Sequence, residues 1–195
     1  MIRIIGGESK GRKIAFKKTF SKKDTIPLRP TSAKVRKAIF DIIGKRIENA
    51  TFLDLYAGSG AVGIEALSRG ASNVFFIDES IERVNAIKDI IVSLGFDSRS
   101  KILQSSAERF IKNLKRQDKI SFEIVFVDPP YTSDELDKIM PLFDKKDIIS
   151  DNGLLIIEHS SKKTDLPPEI GKLLLIKQYK YGDTSLSLYR KSINE

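Results

Sequence analysis

The sequence has no cysteine, no tryptophan and a single histidine. Without thiols there is no disulfide and no thiolate metal site, and one imidazole leaves little for zinc, so a metal-free protein of a reducing compartment is expected. No apolar run approaches the roughly 20 residues that a membrane span requires. The opening Met1-Ile-Arg-Ile-Ile-Gly-Gly is too short and too soon broken to be a signal peptide, which points to the cytoplasm. Repeats, low-complexity tracts and a linker between domains are also missing, so the 195 residues are expected to form one domain. Acid is scarce at one end only. Residues 1–46 hold 14 Lys and Arg against Glu8, Asp24 and Asp41, whereas the remaining chain is slightly acidic within a net charge of +8. A near-neutral body with a basic N-terminal extension over 1–46 suggests a phosphate backbone as partner, because each cation that neutralises a phosphate releases counterions.

What is present alternates. Two short β-like pieces at 2–5 and 13–16 flank glycines, a lysine-rich loop follows over 17–28, and a helix is expected over 32–43, with Val35, Ile39, Ile42 and Ile43 on one face. From residue 51 onward strands and helices take turns. Strands are expected at 51–56, 73–78, 101–104, 122–127 and 153–158, with helices over 81–94, 107–114 and 134–142 and one closing at Gly70. The β-rich runs 173–180 and 185–190 flank Tyr181-Gly-Asp-Thr184, a hairpin signal. The fold class is therefore α/β and Rossmann-like: a mostly parallel, seven-stranded sheet that finishes in an antiparallel hairpin.

Two constellations carry chemistry. Asp54-Leu-Tyr-Ala-Gly58-Ser-Gly60-Ala-Val-Gly63 lies where the first core strand turns into its helix, with Asp78 twenty residues past Gly58 as a ribose-binding acid would be. Asp54 is expected to point off the strand end into the ligand crevice. A carboxylate there would repel a pyrophosphate but suits a cationic ligand, such as the amino group and sulfonium of S-adenosylmethionine. Ser106-Ala107, after the third strand, stands where an adenine ring would lie, although Ser106 equally suits a helix N-cap. The second constellation is Asp128-Pro-Pro-Tyr131, where a buried strand stops on two prolines. It offers an acceptor carboxylate, the Pro129 carbonyl and a flat ring, the groups that hold a planar, amine-bearing base. Asp128 is expected to be an ordinary ionised aspartate, with a reference pKa of about 3.9. His159 is read as a polar residue at the sheet edge.

In this order and spacing the residues resemble a class I S-adenosylmethionine-dependent methyltransferase acting on an exocyclic amine. Arg3-Ile-Ile-Gly-Gly, Gly11-Arg12, Arg29-Pro-Thr31 with Arg36 and Phe40, the run 52–71 and Tyr181-Gly-Asp-Thr184 further resemble the RsmD family, bacterial enzymes that methylate N2 of a guanine in 16S ribosomal RNA. Ser106 stands where relatives commonly have Asp or Asn, and Asp78 where many have Glu. The resemblance implies Asp128, Pro129 and Tyr131 as catalytic residues. It implies donor contacts from Asp54, Tyr56, Ala57, Gly58, Ser59, Gly60, Asp78, Glu79, Ser106 and Ala107. RNA contacts are expected from Arg3, Lys10, Arg12, Lys13, Arg29 and Arg36, with Arg29, Thr31 and Arg36 also placed to bracket the cofactor. The implied partner is 16S rRNA within a small subunit or assembly intermediate, met by a monomer. Rival readings are an N6-adenine DNA methyltransferase, a non-catalytic RNA-binding assembly factor and an NAD-dependent dehydrogenase.

Overall fold

Apolar strands bounded by glycine-rich turns stack side by side in the computed structural model, which describes residues 2–14, 31–114, 120–131 and 133–192. Five parallel strands form one side of the sheet: β3 (Thr51–Leu55), β4 (Asn73–Asp78), β5 (Ser100–Gln104), β6 (Phe122–Val127) and β7 (Ile149–Ser160). Helices α2 (Ala61–Ser68), α3 (Ile81–Leu94), α4 (Ala107–Asn113) and α5 (Glu135–Lys146) lie between them in sequence. With β8 (Glu169–Ile170), β9 (Leu173–Tyr181) and β10 (Thr184–Lys191), the sheet order is β5-β4-β3-β6-β7-β10-β9-β8, and β10 is antiparallel to both neighbours. The sheet has eight strands rather than seven because β8 is a two-residue strand, too short to leave a periodic signal.

Both faces of the sheet are covered, and residue parity decides which face a side chain joins. Phe52, Phe76, Ile124, Phe126 and Ile156 form one core cluster with α1 (Ala33–Ile43), α2 and α3. Leu53, Leu55, Ile77, Val125, Val127 and Ile157 form the other with α4 and α5. Two boundaries differ from expectation by four residues. Helix α5 continues through Pro141 to Lys146, because Leu142 and Phe143 beyond the proline are buried. That burial offsets the roughly 3 kcal/mol an interior proline costs. Strand β7 starts at Ile149 instead of 153, since Ile149 pairs Phe122 before the register shifts. Asn152 takes a left-handed φ of 61° at that irregularity.

The N-terminal extension packs into the first cluster. Strands β1 (Ile2–Arg3) and β2 (Lys13–Ile14) pair antiparallel, and Ile2, Ile4 and Ile14 are buried. Glu65 of α2 accepts the backbone N–H groups of Ile5 and Gly6 at 2.8 and 2.7 Å, while Ser68 Oγ accepts from Ser9 N and donates to Gly6 O. No helix among the described residues is long and apolar enough to cross a membrane. The lysine loop over 17–28 lies outside the described residues.

Candidate active site

At the carboxyl ends of the parallel strands, four acids face the same side of the sheet. Register explains this. Asp54 pairs both Phe76 and Phe126, and Val127 pairs Ile157, so Asp78, Asp128 and Glu158 each follow a partner of that row by one or two residues on the face shared with Phe76, Phe126 and Ile156. The order across the sheet is Asp78 on β4, Asp54 on β3, Asp128 after β6 and Glu158 on β7. The chain reverses its direction of winding between β3 and β6, and ligands of open α/β sheets bind in the crevice at such a point.

The β4 and β3 half is a cradle. Gly58 and Gly60 have φ of 55° and 70°, and a side chain added at Gly63 would sit 2.3 Å from the Phe76 ring, so helix α2 approaches β4 as closely as glycine permits. Asp78 Oδ2 accepts Gly58 N–H at 2.8 Å and Oδ1 accepts Ser80 N–H at 2.9 Å, tying the glycine loop to the start of α3. Asp54 does not project freely into the crevice as expected. It is 1% exposed, and its Oδ2 accepts the Gly63 N–H at 2.9 Å, because strand parity turns it toward the first turn of α2. Burial above all, and the charge of Asp78, push its pKa up to about 8 against that hydrogen bond. A cation that approached this carboxyl would favour its ionised form.

Tyr56 follows β3 with φ of 63°, rare for an aromatic residue. The turn breaks the alternation and sends the ring to the α5 side, where its hydroxyl donates to Glu135 Oε2 at 2.9 Å and joins the glycine loop to the end of the Asp-Pro-Pro-Tyr loop. Ala57 and Ser59 are buried within the cradle and Glu79 is exposed beside it. Ser106 acts as the N-cap of α4, its Oγ accepting from Arg109 N at 3.1 Å, and Ala107 is buried beneath it.

The β6 and β7 half holds Asp128, buried Pro129 and Tyr131. Asp128 is not the ordinary aspartate expected. Burial first, then the charges of Glu158 and Asp54, raise its pKa well above the usual range, with a Thr31 hydroxyl 3.4 Å from Oδ2 acting the other way. Tyr131 is 41% exposed, and its hydroxyl lies 3.2 Å from Glu158 Oε1 and 3.0 Å from Thr184 Oγ1. Glu158 itself is 5% exposed; its place in the row was missed because only the β6–β7 register reveals it. His159 points to the other face, with Nε2 2.8 Å from Ser187 Oγ and Nδ1 2.9 Å from Ser160 O; its role is polar and structural, but it is 4% exposed on β7, which lies between β6 and β10 and not at a sheet edge, because the C-terminal hairpin pairs beside it.

Among the residues expected at RNA, Arg3, Lys10, Arg12 and Lys13 are exposed on the hairpin, and Arg29 lies outside the described residues. Arg36 is corrected. Its guanidinium is 3% exposed, 3.6 Å from Glu65 Oε2, and donates to Arg3 O at 2.7 Å, so it braces the hairpin against α1 and α2 rather than standing out as a surface cation. A groove of about 910 Å³ opens between the hairpin and the start of α1, lined in part by Arg3, Lys10, Gly11, Thr31 and Ser32. Its Thr31 wall is the residue that touches Asp128.

Comparison with known proteins bears on this geometry. The family model described as "Conserved hypothetical protein 95" matches residues 2–190. The chain is 32% identical over 190 residues to YlbH of Bacillus subtilis (strain 168), covering 97% of this chain and 99% of that one. It is also 32% identical over 192 residues to the Ribosomal RNA small subunit methyltransferase D of Escherichia coli (strain K12), covering 97% and 90%. Among solved structures, Escherichia coli yhhF superposes with a TM-score of 0.84 at 29% identity over 98% of each chain.

Proposed function

Because the chain belongs to the conserved hypothetical protein 95 family, the RsmD family, we propose that it transfers a methyl group from S-adenosylmethionine to the exocyclic N2 amine of a guanine in 16S ribosomal RNA. The observation that carries this reading is the continuous row of Asp78, Asp54, Asp128 and Glu158, which sets acids suited to a cationic donor beside acids suited to an amine acceptor.

The residues of the cradle fit such a donor. Gly58 leaves a half-buried backbone without a side chain in the way of close approach, Asp78 stands at the strand tip where a ribose acid belongs, and Asp54 is a buried acid raised to about 8 that a positive charge would return to its ionised form. S-adenosylmethionine would be held by Asp54, Tyr56, Ala57, Gly58, Ser59, Gly60, Asp78 and Glu79 and supplies the methyl group on a sulfonium. Ser106 and Ala107 would border its adenine ring, Ser106 while still capping α4.

On the acceptor side the chain's task is to activate a poor nucleophile. The N2 lone pair of guanine is delocalised into the ring, and hydrogen bonds that draw the amine toward a pyramidal geometry localise it. Asp128 accepts one N–H and the Pro129 carbonyl the other, while Tyr131 stacks on the base, a contact worth about 1–3 kcal/mol in comparable sites. As the new C–N bond forms, Asp128 takes the proton that the nitrogen sheds. Its raised pKa makes its carboxylate a better proton acceptor than that of an ordinary aspartate. The guanine must be unpaired or flipped to reach this depth. Arg3 and Lys10 along the groove, Arg12 and Lys13 exposed on the same hairpin, and Arg29 by its charge in the sequence are the cations that would steer and hold the phosphates.

In this reading one cytoplasmic domain works as a monomer on a small subunit or its precursor, with residues 1–46 as the RNA-binding extension. The test is to incubate the protein and labelled donor with small subunits from cells lacking it, and to map the product by mass spectrometry. The reading expects N2-methylguanine at one position; an unmodified 16S rRNA contradicts it.

A further inference from the structure

The Asp-Pro-Pro-Tyr loop accounts for an amine on a planar ring but not for the choice of guanine. Glu158 stands beside it with no part in that account. The strand Leu154-Leu-Ile-Ile157 is wholly buried and apolar, then ends in an acid that is itself 5% exposed. Parallel pairing of Val127 with Ile157 brings Glu158 level with Asp128, the residue after β6, on the same face. Adjacent strands lie about 4.8 Å apart, so the two carboxyl groups are spaced to take different donors of one base edge. Tyr131, on the acceptor loop, reaches Glu158 Oε1 at 3.2 Å, which puts this acid against the ring expected to stack on the base. Holding that phenol does not require an acid, since Thr184 Oγ1 lies 3.0 Å from the same hydroxyl. A carboxylate has acceptor positions for about four hydrogen bonds, so it can take a further donor beside the partners it already has.

Guanine presents N1–H next to its N2 amine, both donors. We propose that Glu158 accepts the N1–H of the target guanine while Asp128 holds the N2 amine, making β7 the strand that selects the base. The inference rests on the methyl-transfer reading above and adds the source of its base choice. A purine whose N1 is bare would turn a ring lone pair toward the Glu158 carboxylate and be rejected, which separates guanine from adenine although both carry an exocyclic amine. Sites built around such a donor discriminate strongly against analogues that lack it.

The test replaces the mapped target guanine by 2-aminopurine, which keeps the N2 amine but has no N1–H, and compares kcat/KM for the two RNAs. The wild-type protein is expected to prefer guanine by about a hundredfold or more. Glu158→Gln can donate its amide N–H to a bare N1 and is expected to bring the ratio within about tenfold, with S-adenosylhomocysteine affinity unchanged as the check on folding. Tyr131→Phe, which keeps the carboxylate, should leave the ratio as in wild type. Wild-type protein that methylates both bases equally overturns the proposal without any variant. So does an unchanged ratio in a folded Glu158→Gln protein, or a ratio that collapses equally in Tyr131→Phe. A wild-type protein that methylates no guanine at all refutes instead the parent reading, a distinguishable result.

Discussion

Asp54 is a buried acid whose protonation should respond to an arriving cation. Free, it holds a proton up to about pH 8. Below that pH, donor binding expels the proton, so donor affinity should rise between pH 6 and 8 and then level off. Calorimetry in buffers of different ionisation enthalpy should detect close to one proton released, and Asp54→Asn should weaken binding and flatten the pH dependence. For stability the sign is opposite. A folded-state value raised from about 4 means that the free folded protein binds more protons than the unfolded chain across that window, and its stability falls as pH rises from 4 to 8. Asp54→Asn should therefore raise the melting temperature of the free protein at pH 8. Asp54, the glycine loop and Asp-Pro-Pro-Tyr were legible in sequence because each motif is contiguous and its chemistry local. Neither Glu158 opposite Tyr131, Thr31 at Asp128, nor Glu65 beneath the hairpin could be read, because each partner lies 27 to 97 residues away along the chain.

Among the elements, α2 does two things at once. Its first turn receives Asp54 through Gly63, and its last turns hold the N-terminal hairpin through Glu65 and Ser68. Glu65 is 1% exposed, pairs with Arg69 at 2.7 Å and Arg36 at 3.6 Å, and accepts two backbone N–H groups. Glu65→Ala would strand a buried guanidinium and two donors, and urea unfolding should show a loss of about 3–5 kcal/mol. Gly63→Ala forces a methyl group into the Phe76 ring and should cost about 1–3 kcal/mol, with donor affinity reduced because the cradle shifts. The strand and helix order followed from hydrophobic periodicity alone. The extension of α5 past Pro141 did not, since local propensity argues for a stop and only burial of Leu142 and Phe143 overrides it. Arg36 misled for a related reason: in a run with Lys34 and Lys37 its charge reads as surface, and the buried partner that neutralises it is on another helix.

Across the whole molecule, charge is divided as the chemistry requires, with cations on the N-terminal extension and acids at the sheet tips. RNA affinity should fall steeply with salt. Replacing Lys10, Arg12 and Lys13 by Ala should lower the slope of log K against log salt by about 0.7–0.9 for each phosphate that is no longer neutralised, with donor affinity untouched, as filter binding across a salt series would show. The most direct measurement of the central claim is single-turnover methyl transfer to small-subunit rRNA by wild-type protein and by Asp128→Asn, with S-adenosylhomocysteine binding measured on both. The account predicts equal cofactor affinity and transfer slowed by about a hundredfold or more in the variant, because an amide cannot take the proton the amine sheds. Transfer at the wild-type rate by a folded Asp128→Asn protein would contradict it.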